Sequence, residues 1–186
     1  MRLVIGFVVL LLGVQVAWAD ELKQAQKAYR HGQYAEAAAI LQPLAQRGHP
    51  IAQFNVAVMY DDGLGLPQNL ALALSWYKRA AEAGLIDGQY MTGRFYGRGR
   101  GTPQNPGKAL FWFDLARAGG HPLAGKLRDQ HWNQLNSPQR DAIEAEATRW
   151  HARHPRQFSC KGNPCIYPRW TPMPRWSIFD LDTGPQ

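Results

Sequence analysis

Apolar and small residues recur along the central part of this chain with helical spacing, and the pattern then repeats itself. From Ile51 to Asp62 no Gly or Pro interrupts the run, Gly63-Leu64-Gly65-Leu66-Pro67 breaks it, and Leu70 to Ala83 is again free of breakers. This predicts a helix, a loop and a second helix. In the second helix Ala73, Trp76, Tyr77 and Ala80 fall at i, i+3, i+4 and i+7, one helical face on which bulky rings alternate with alanines. That alternation suits closely packed helices, so the rings read as core.

Displaced by 36 residues, the segment 49–84 aligns with 85–120 through twelve identities. Gln53 falls on Gln89, Tyr60 on Tyr96, Gly63 on Gly99, Gly65 on Gly101 and Pro67-Gln68-Asn69 on Pro103-Gln104-Asn105. Ala73-Leu74 falls on Ala109-Leu110, Trp76 on Trp112, Ala80 on Ala116 and Gly84 on Gly120. A period in this range marks a solenoid of helical hairpins. Gly63 and Gly99 stand where each first helix must stop, and Asn69 and Asn105 are placed to cap the second helices.

A weaker copy lies upstream, where Tyr34, Ala37, Leu41, Leu44 and Gly48 match Leu70, Ala73, Tyr77, Ala80 and Gly84. Downstream, Ala124 and Trp132 follow the register but Leu135 replaces the loop glycine, and Ser137-Pro138 opens a last helix to about Arg153. This predicts a terminal cap, with Ser137 as N-cap and Pro138 in the first helical position. The expected fold is all-α: about four antiparallel helix hairpins over 20–154, with full repeats at 49–84 and 85–120, partial repeats at 20–48 and 121–154, and an irregular tail over 155–186.

The tetrad Tyr60, Gly63-x-Gly65 and Trp76, repeated as Tyr96, Gly99-x-Gly101 and Trp112, together with the alanines and prolines between them, resembles the Sel-one-like repeats, a tetratricopeptide-related family. The resemblance covers about residues 20 to 153. It implies a right-handed superhelix whose concave side binds other proteins, often in envelope assembly or signalling. No catalytic residue and no cofactor are expected, because the sequence holds no convincing catalytic set.

The ends locate the protein. Met1-Arg2 precedes an apolar run from Leu3 to Val14 that resumes at Val16 and closes on Ala17-Trp18-Ala19. A charged start, an apolar middle and a small-x-small site read as a secretory signal cleaved after Ala19, and the run is short for a bilayer span of about 20 residues. The mature chain is therefore expected in a periplasm or secreted. Its net charge of +7 falls to +6 once Arg2 is lost. A basic chain ordinarily suggests nucleic acid, but export directs that charge to anionic envelope polymers, membrane surfaces or acidic protein faces.

Candidate chemistry is sparse. Arg94, Arg98 and Arg100 do not recur in the preceding unit, where Asp61-Asp62-Gly63-Leu64-Gly65 stands, and form a candidate anion patch. The tail mixes Arg169, Trp170, Arg175 and Trp176 among prolines, a composition suited to interfaces. Cys160 and Cys165 read as one disulfide in an oxidising compartment; with His151 and His154 they also make a four-ligand set for zinc, which oxidation would preclude, so no metal site is assigned. Ser75-x-x-Lys78 fits the pattern of penicillin-interacting enzymes, yet its counterparts are Phe111 and Asp114 and no companion motif is present. His49 and His121, each before a proline, read as exposed turn residues. The function expected is an adaptor for a protein partner, with binding of peptidoglycan or acidic polysaccharide as the alternative and a β-lactam-directed enzyme as a third reading.

Overall fold

The computed structural model describes residues 20–154, and these are helical with no strand. The expected signal over 1–19 and the tail, with Cys160, Cys165, Arg169, Trp170, Arg175 and Trp176, lie outside the described residues. Helix α1 occupies residues 20–30. It is followed by α2 (Tyr34–Gln46), α3 (Pro50–Asp62), α4 (Leu70–Glu82), α5 (Ile86–Arg98), α6 (Pro106–Ala118), α7 (Ala124–Trp132) and α8 (Ser137–Arg153). Successive helices from α2 to α7 pack against one another, giving a solenoid of antiparallel hairpins.

The repeated residues make repeated contacts. Gly63 and Gly99 end α3 and α5 at φ 71° and 69°. The next amides, Leu64 and Arg100, return to the carbonyls of Met59 and Phe95 at 3.1 and 2.9 Å. These are Schellman-type stops, for which a residue without Cβ is favoured. Asn69 and Asn105 accept from the Leu72 and Lys108 amides at 3.0 and 2.9 Å, capping α4 and α6. Gln68 and Gln104 each donate at 2.9 Å to the carbonyl seven residues earlier, that of Asp61 and of Gly97, holding the loop to the end of the first helix. Gln53 and Gln89 reach back across the hairpin boundary to Ala45 and Ala81.

Gly65 and Gly101 serve a different purpose. Each loop lies on the start of the preceding hairpin's second helix. A Cβ on Gly101 would meet the Leu70 carbonyl and come within 2.8 Å of the Ala71 amide nitrogen; one on Gly65 would meet the Tyr34 carbonyl and Ala35 in the same way. Backbone approaches backbone there, and only glycine leaves room.

Between the layers Phe54, Tyr77 and Phe95 form an edge-to-face ladder with centroids 5.3 and 5.2 Å apart. Tyr90, Phe113 and His131 make a second series, tilted at 6.0 Å and stacked at 5.6 Å. The alanines at 73, 80, 109 and 116 are fully buried against these rings. Each large ring contributes about 1.5–3 kcal/mol by leaving water, whereas the alanines contribute chiefly by letting the helices approach. Trp112 is buried as the repeat predicts, while Trp76 is half-buried under the Arg79 guanidinium, 4.5 Å from its ring centre.

The terminal cap departs from the repeat. Helix α8 packs on α6, through Ala147 and Trp150. Asn136, not Ser137, is its N-cap: the Asn136 side chain accepts from the Gln139 amide at 3.0 Å and the Gln139 side chain accepts from the Asn136 amide at 3.1 Å. An amide that completes a reciprocal capping box satisfies two helix-end donors, and this displaces Ser137 into the first turn ahead of Pro138. Arg128 of α7 ties the cap together, reaching Asp114 of α6 at 3.1 Å and Glu144 of α8 at 3.3 Å while covering Trp132.

Candidate functional site

The first helices α1, α3 and α5 use one face for packing on second helices and leave another accessible. On α3 the less buried positions Ile51, Asn55, Val58 and Asp62 lie one or two turns apart; one repeat later they become Asp87, Met91, Arg94 and Arg98. Period-36 stacking sets these stripes side by side.

A chain of ionisable groups crosses this face from helix to helix. Tyr29 of α1 lies in the field of Asp62; burial first, and that carboxylate second, push its phenol up to about 12. Asp62 is itself pushed up to about 6, by burial and then by neighbouring Asp61, against the pull of Arg100. Asp61 is 4% exposed and receives the Arg100 guanidinium at 2.7 Å. Its pKa is still raised, because burial outweighs the attraction of Arg100 and Arg94 and the hydrogen bond from Tyr77. Arg94 is held below the usual arginine range by desolvation; the like charges of Arg98 and Arg100 lower it further, while Tyr90 opposes them. Its guanidinium lies 5.7 Å from the centre of the Tyr90 ring. On the other side Tyr90 stacks on His121, centroids 4.0 Å apart and planes 17° from parallel, and His121 Nε2 is 3.8 Å from Asp87.

His121 is therefore not the exposed turn residue its position before Pro122 suggests. Its side chain is 9% exposed, and burial followed by the Arg94 charge lowers its pKa to about 4, leaving a neutral imidazole at neutral pH. His49 is likewise half-buried, and burial lowers its pKa.

Three polar atoms of this ribbon are buried without a hydrogen-bond partner: Asn55 Nδ2, Asp62 Oδ2 and the Tyr90 hydroxyl. Buried polar groups ordinarily find partners, so these atoms together with the perturbed titration single out the ribbon as a candidate site. Of the arginines singled out in the sequence, Arg100 is committed to Asp61, Arg94 is half-buried over Tyr90, and Arg98 is exposed. Asn55, Asp61, Asp62, Asp87, Tyr90 and His121 were not singled out as site residues; the only sequence signal for them is that they differ between otherwise matching repeats.

Elsewhere, an open groove of about 490 Å³ lies between α4, α6 and α8, lined by Trp112 and Trp150 with Lys78, Glu82, Lys108 and Glu146. Its charges are largely engaged: Lys78 pairs with Glu82 at 3.4 Å and Lys108 covers Tyr96. Ser75 is exposed in mid-helix, and the same pairing engages Lys78 of the Ser-x-x-Lys pattern. Among the described residues there is no cluster of metal-ligating side chains, and no helix is long and apolar enough to cross a membrane.

The Sel1 repeat model matches residues 50–85 and 86–121, one residue later than the self-aligned windows. The structure of a Sel1 repeat protein from Oxalobacter formigenes is 32% identical, with a TM-score of 0.55, and the match covers 60% of this chain and 87% of that one. The chain belongs to the Sel1 repeat family. Sel1 repeat proteins are generally protein-interaction scaffolds. The fold is also similar to that of c5321, a protective antigen of uropathogenic Escherichia coli strains described as displaying an SLR fold, with a TM-score of 0.68 at 22% identity. That match covers 78% of this Sel1 repeat chain and 33% of the antigen, so the chain spans a third of the length of that structure. No curated protein matches the chain.

Proposed function

We propose that this protein is an exported, non-catalytic adaptor that binds a protein partner of the cell envelope across the first-helix face of its solenoid. The ribbon from Tyr29 to His121 carries the reading: it spans three hairpins, holds several perturbed ionisable groups, and keeps three buried polar atoms unpartnered. A partner segment laid across the first helices would gain apolar contact at the half-buried Ile51 and Val58. The N-terminal segment ending in Ala17-Trp18-Ala19 supports export, and the envelope role follows from that location.

The test is affinity capture from envelope extracts with the wild-type protein and with Val58→Arg, which places a long cation in the middle of the face. Recovery of the same protein by the wild type and its loss with Val58→Arg is the expected result. Retention on purified cell wall without any protein partner, unaffected by Val58→Arg, would refute the adaptor. Cell fractionation and N-terminal sequencing of the mature chain, with Asp20 expected first, check the export step.

A further inference from the structure

Helix α1 has two chemically opposed sides. Ala25 and Ala28 are buried, and Leu22 and Tyr29 pack against the same core. Lys23, Lys27 and Arg30 fall at i, i+4 and i+7 and are all exposed. At 3.6 residues per turn they share an arc of about 60° and run along about 10 Å of the helix. Asp20 is the carboxylate on this side. It meets Lys23 at 3.5 Å with the two side chains 72% and 76% exposed, a pairing that water leaves weak. Glu21, the other acid of α1, is engaged by Arg47 at 2.8 Å. Lys27 and Arg30 form no ion pair among the described residues. The face is thus a short row of cations whose charge the fold leaves largely unanswered. Ammonium and guanidinium groups on long exposed stems fit a diffuse negative plane better than a shaped ligand, which would need them held in place.

We propose that the Lys23–Lys27–Arg30 face of α1 is a membrane-surface site that takes the anionic headgroups of a phospholipid bilayer. This goes beyond the adaptor reading and does not rest on it. The apolar run over 3–19 ends at the residue before α1, so export through that run brings this face to the headgroups first. Each cation held near an anionic leaflet raises partition about fivefold, and the three together about a hundredfold, an effect that salt screens.

The purified mature protein is sedimented with vesicles of phosphatidylcholine alone and with vesicles of phosphatidylcholine and phosphatidylglycerol in equal parts. Binding to the mixed vesicles only is expected at about 0.1 M salt, with its loss at about 1 M. Lys27→Gln/Arg30→Gln should weaken that binding about thirtyfold, with the circular dichroism unaltered. Lys27→Arg/Arg30→Lys keeps the charge and should keep the binding. Arg98→Gln/Arg149→Gln removes the same charge from exposed positions on α5 and α8 and should leave binding nearly unchanged. Equal binding to both vesicles, equal losses from the two Gln pairs, or a loss from Arg169→Gln/Arg175→Gln with none from the α1 pair would overturn the site. Binding of a poly-Glu peptide through Lys27 and Arg30, without vesicle binding, would assign the face to an acidic protein and overturn it too. Capture of a partner through Val58 is read separately, so the membrane site and the adaptor fail independently.

Discussion

Replacing Gly101 by alanine tests how the hairpins are joined, and Gly120→Ala is its internal control. Both glycines have positive φ, 65° and 91°. An L residue in that region costs about 1–2 kcal/mol, offset by about 0.4–1 kcal/mol from the stiffer unfolded chain. At Gly120 nothing lies within 4 Å of the added Cβ, so the net loss there is about 1 kcal/mol or less. At Gly101 the Cβ also meets the Leu70 carbonyl and lies 2.8 Å from the Ala71 nitrogen. These are backbone atoms in the first turn of α4, which cannot rotate aside, so the loop or the helix must move. Overpacking of that kind adds about 1–3 kcal/mol. The two variants should therefore differ by about 2 kcal/mol, which at a urea slope of about 2 kcal/mol per molar separates their midpoints by about 1 M. Gly65→Ala should behave like Gly101→Ala, because Tyr34 and Ala35 confront it in the same way. Equal midpoints for Gly101→Ala and Gly120→Ala would refute the claim that loop-to-helix backbone contact fixes hairpin stacking.

Arg100→Leu leaves Asp61 buried without its cation and should cost about 3 kcal/mol in urea unfolding, with much of the loss recovered in Asp61→Asn/Arg100→Leu. Between about pH 4 and 6 two groups act in opposite directions. Folded Asp62 holds a proton that the unfolded chain has released, so its contribution is present at low pH and lost as pH rises through about 6. Folded His121, lowered to about 4 from 6.5, gives stability that is present above 6.5 and lost as pH falls through 4. Asp62→Asn should thus expose a steeper loss of stability on acidification, and His121→Gln a shallower one, both read from thermal midpoints across that range. Asn105→Ala, which removes the α6 cap, should cost about 1 kcal/mol by the same assay. A chromogenic β-lactam should not be turned over by the wild type, and Ser75→Ala should change neither that result nor stability.

What was legible in the sequence follows from repetition. Gln53 with Gln89, Gln68 with Gln104 and Asn69 with Asn105 are identical because each makes the same bond at the same place in its hairpin, so self-alignment finds them. The ribbon was illegible for the converse reason. Asp61 meets Arg100 across 39 residues, and Tyr90 meets His121 across a helix and a turn, pairings that only hairpin stacking creates. Repeat comparison marks these positions merely as differing. A residue before proline at a hairpin turn is ordinarily exposed, whereas stacking on Tyr90 draws His121 inward. At the start of α8 Asn136 completes a capping box with Gln139, a pairing of residues three apart that outweighs the Ser137-Pro138 signal.

The most direct measurement places a photo-crosslinking amino acid at Val58, on the first-helix face, or at Ser75, exposed on a second helix, in the native cell. The account predicts a discrete protein adduct from Val58 and none from Ser75. Adducts from Ser75 alone, or an equal smear from both positions, would contradict it.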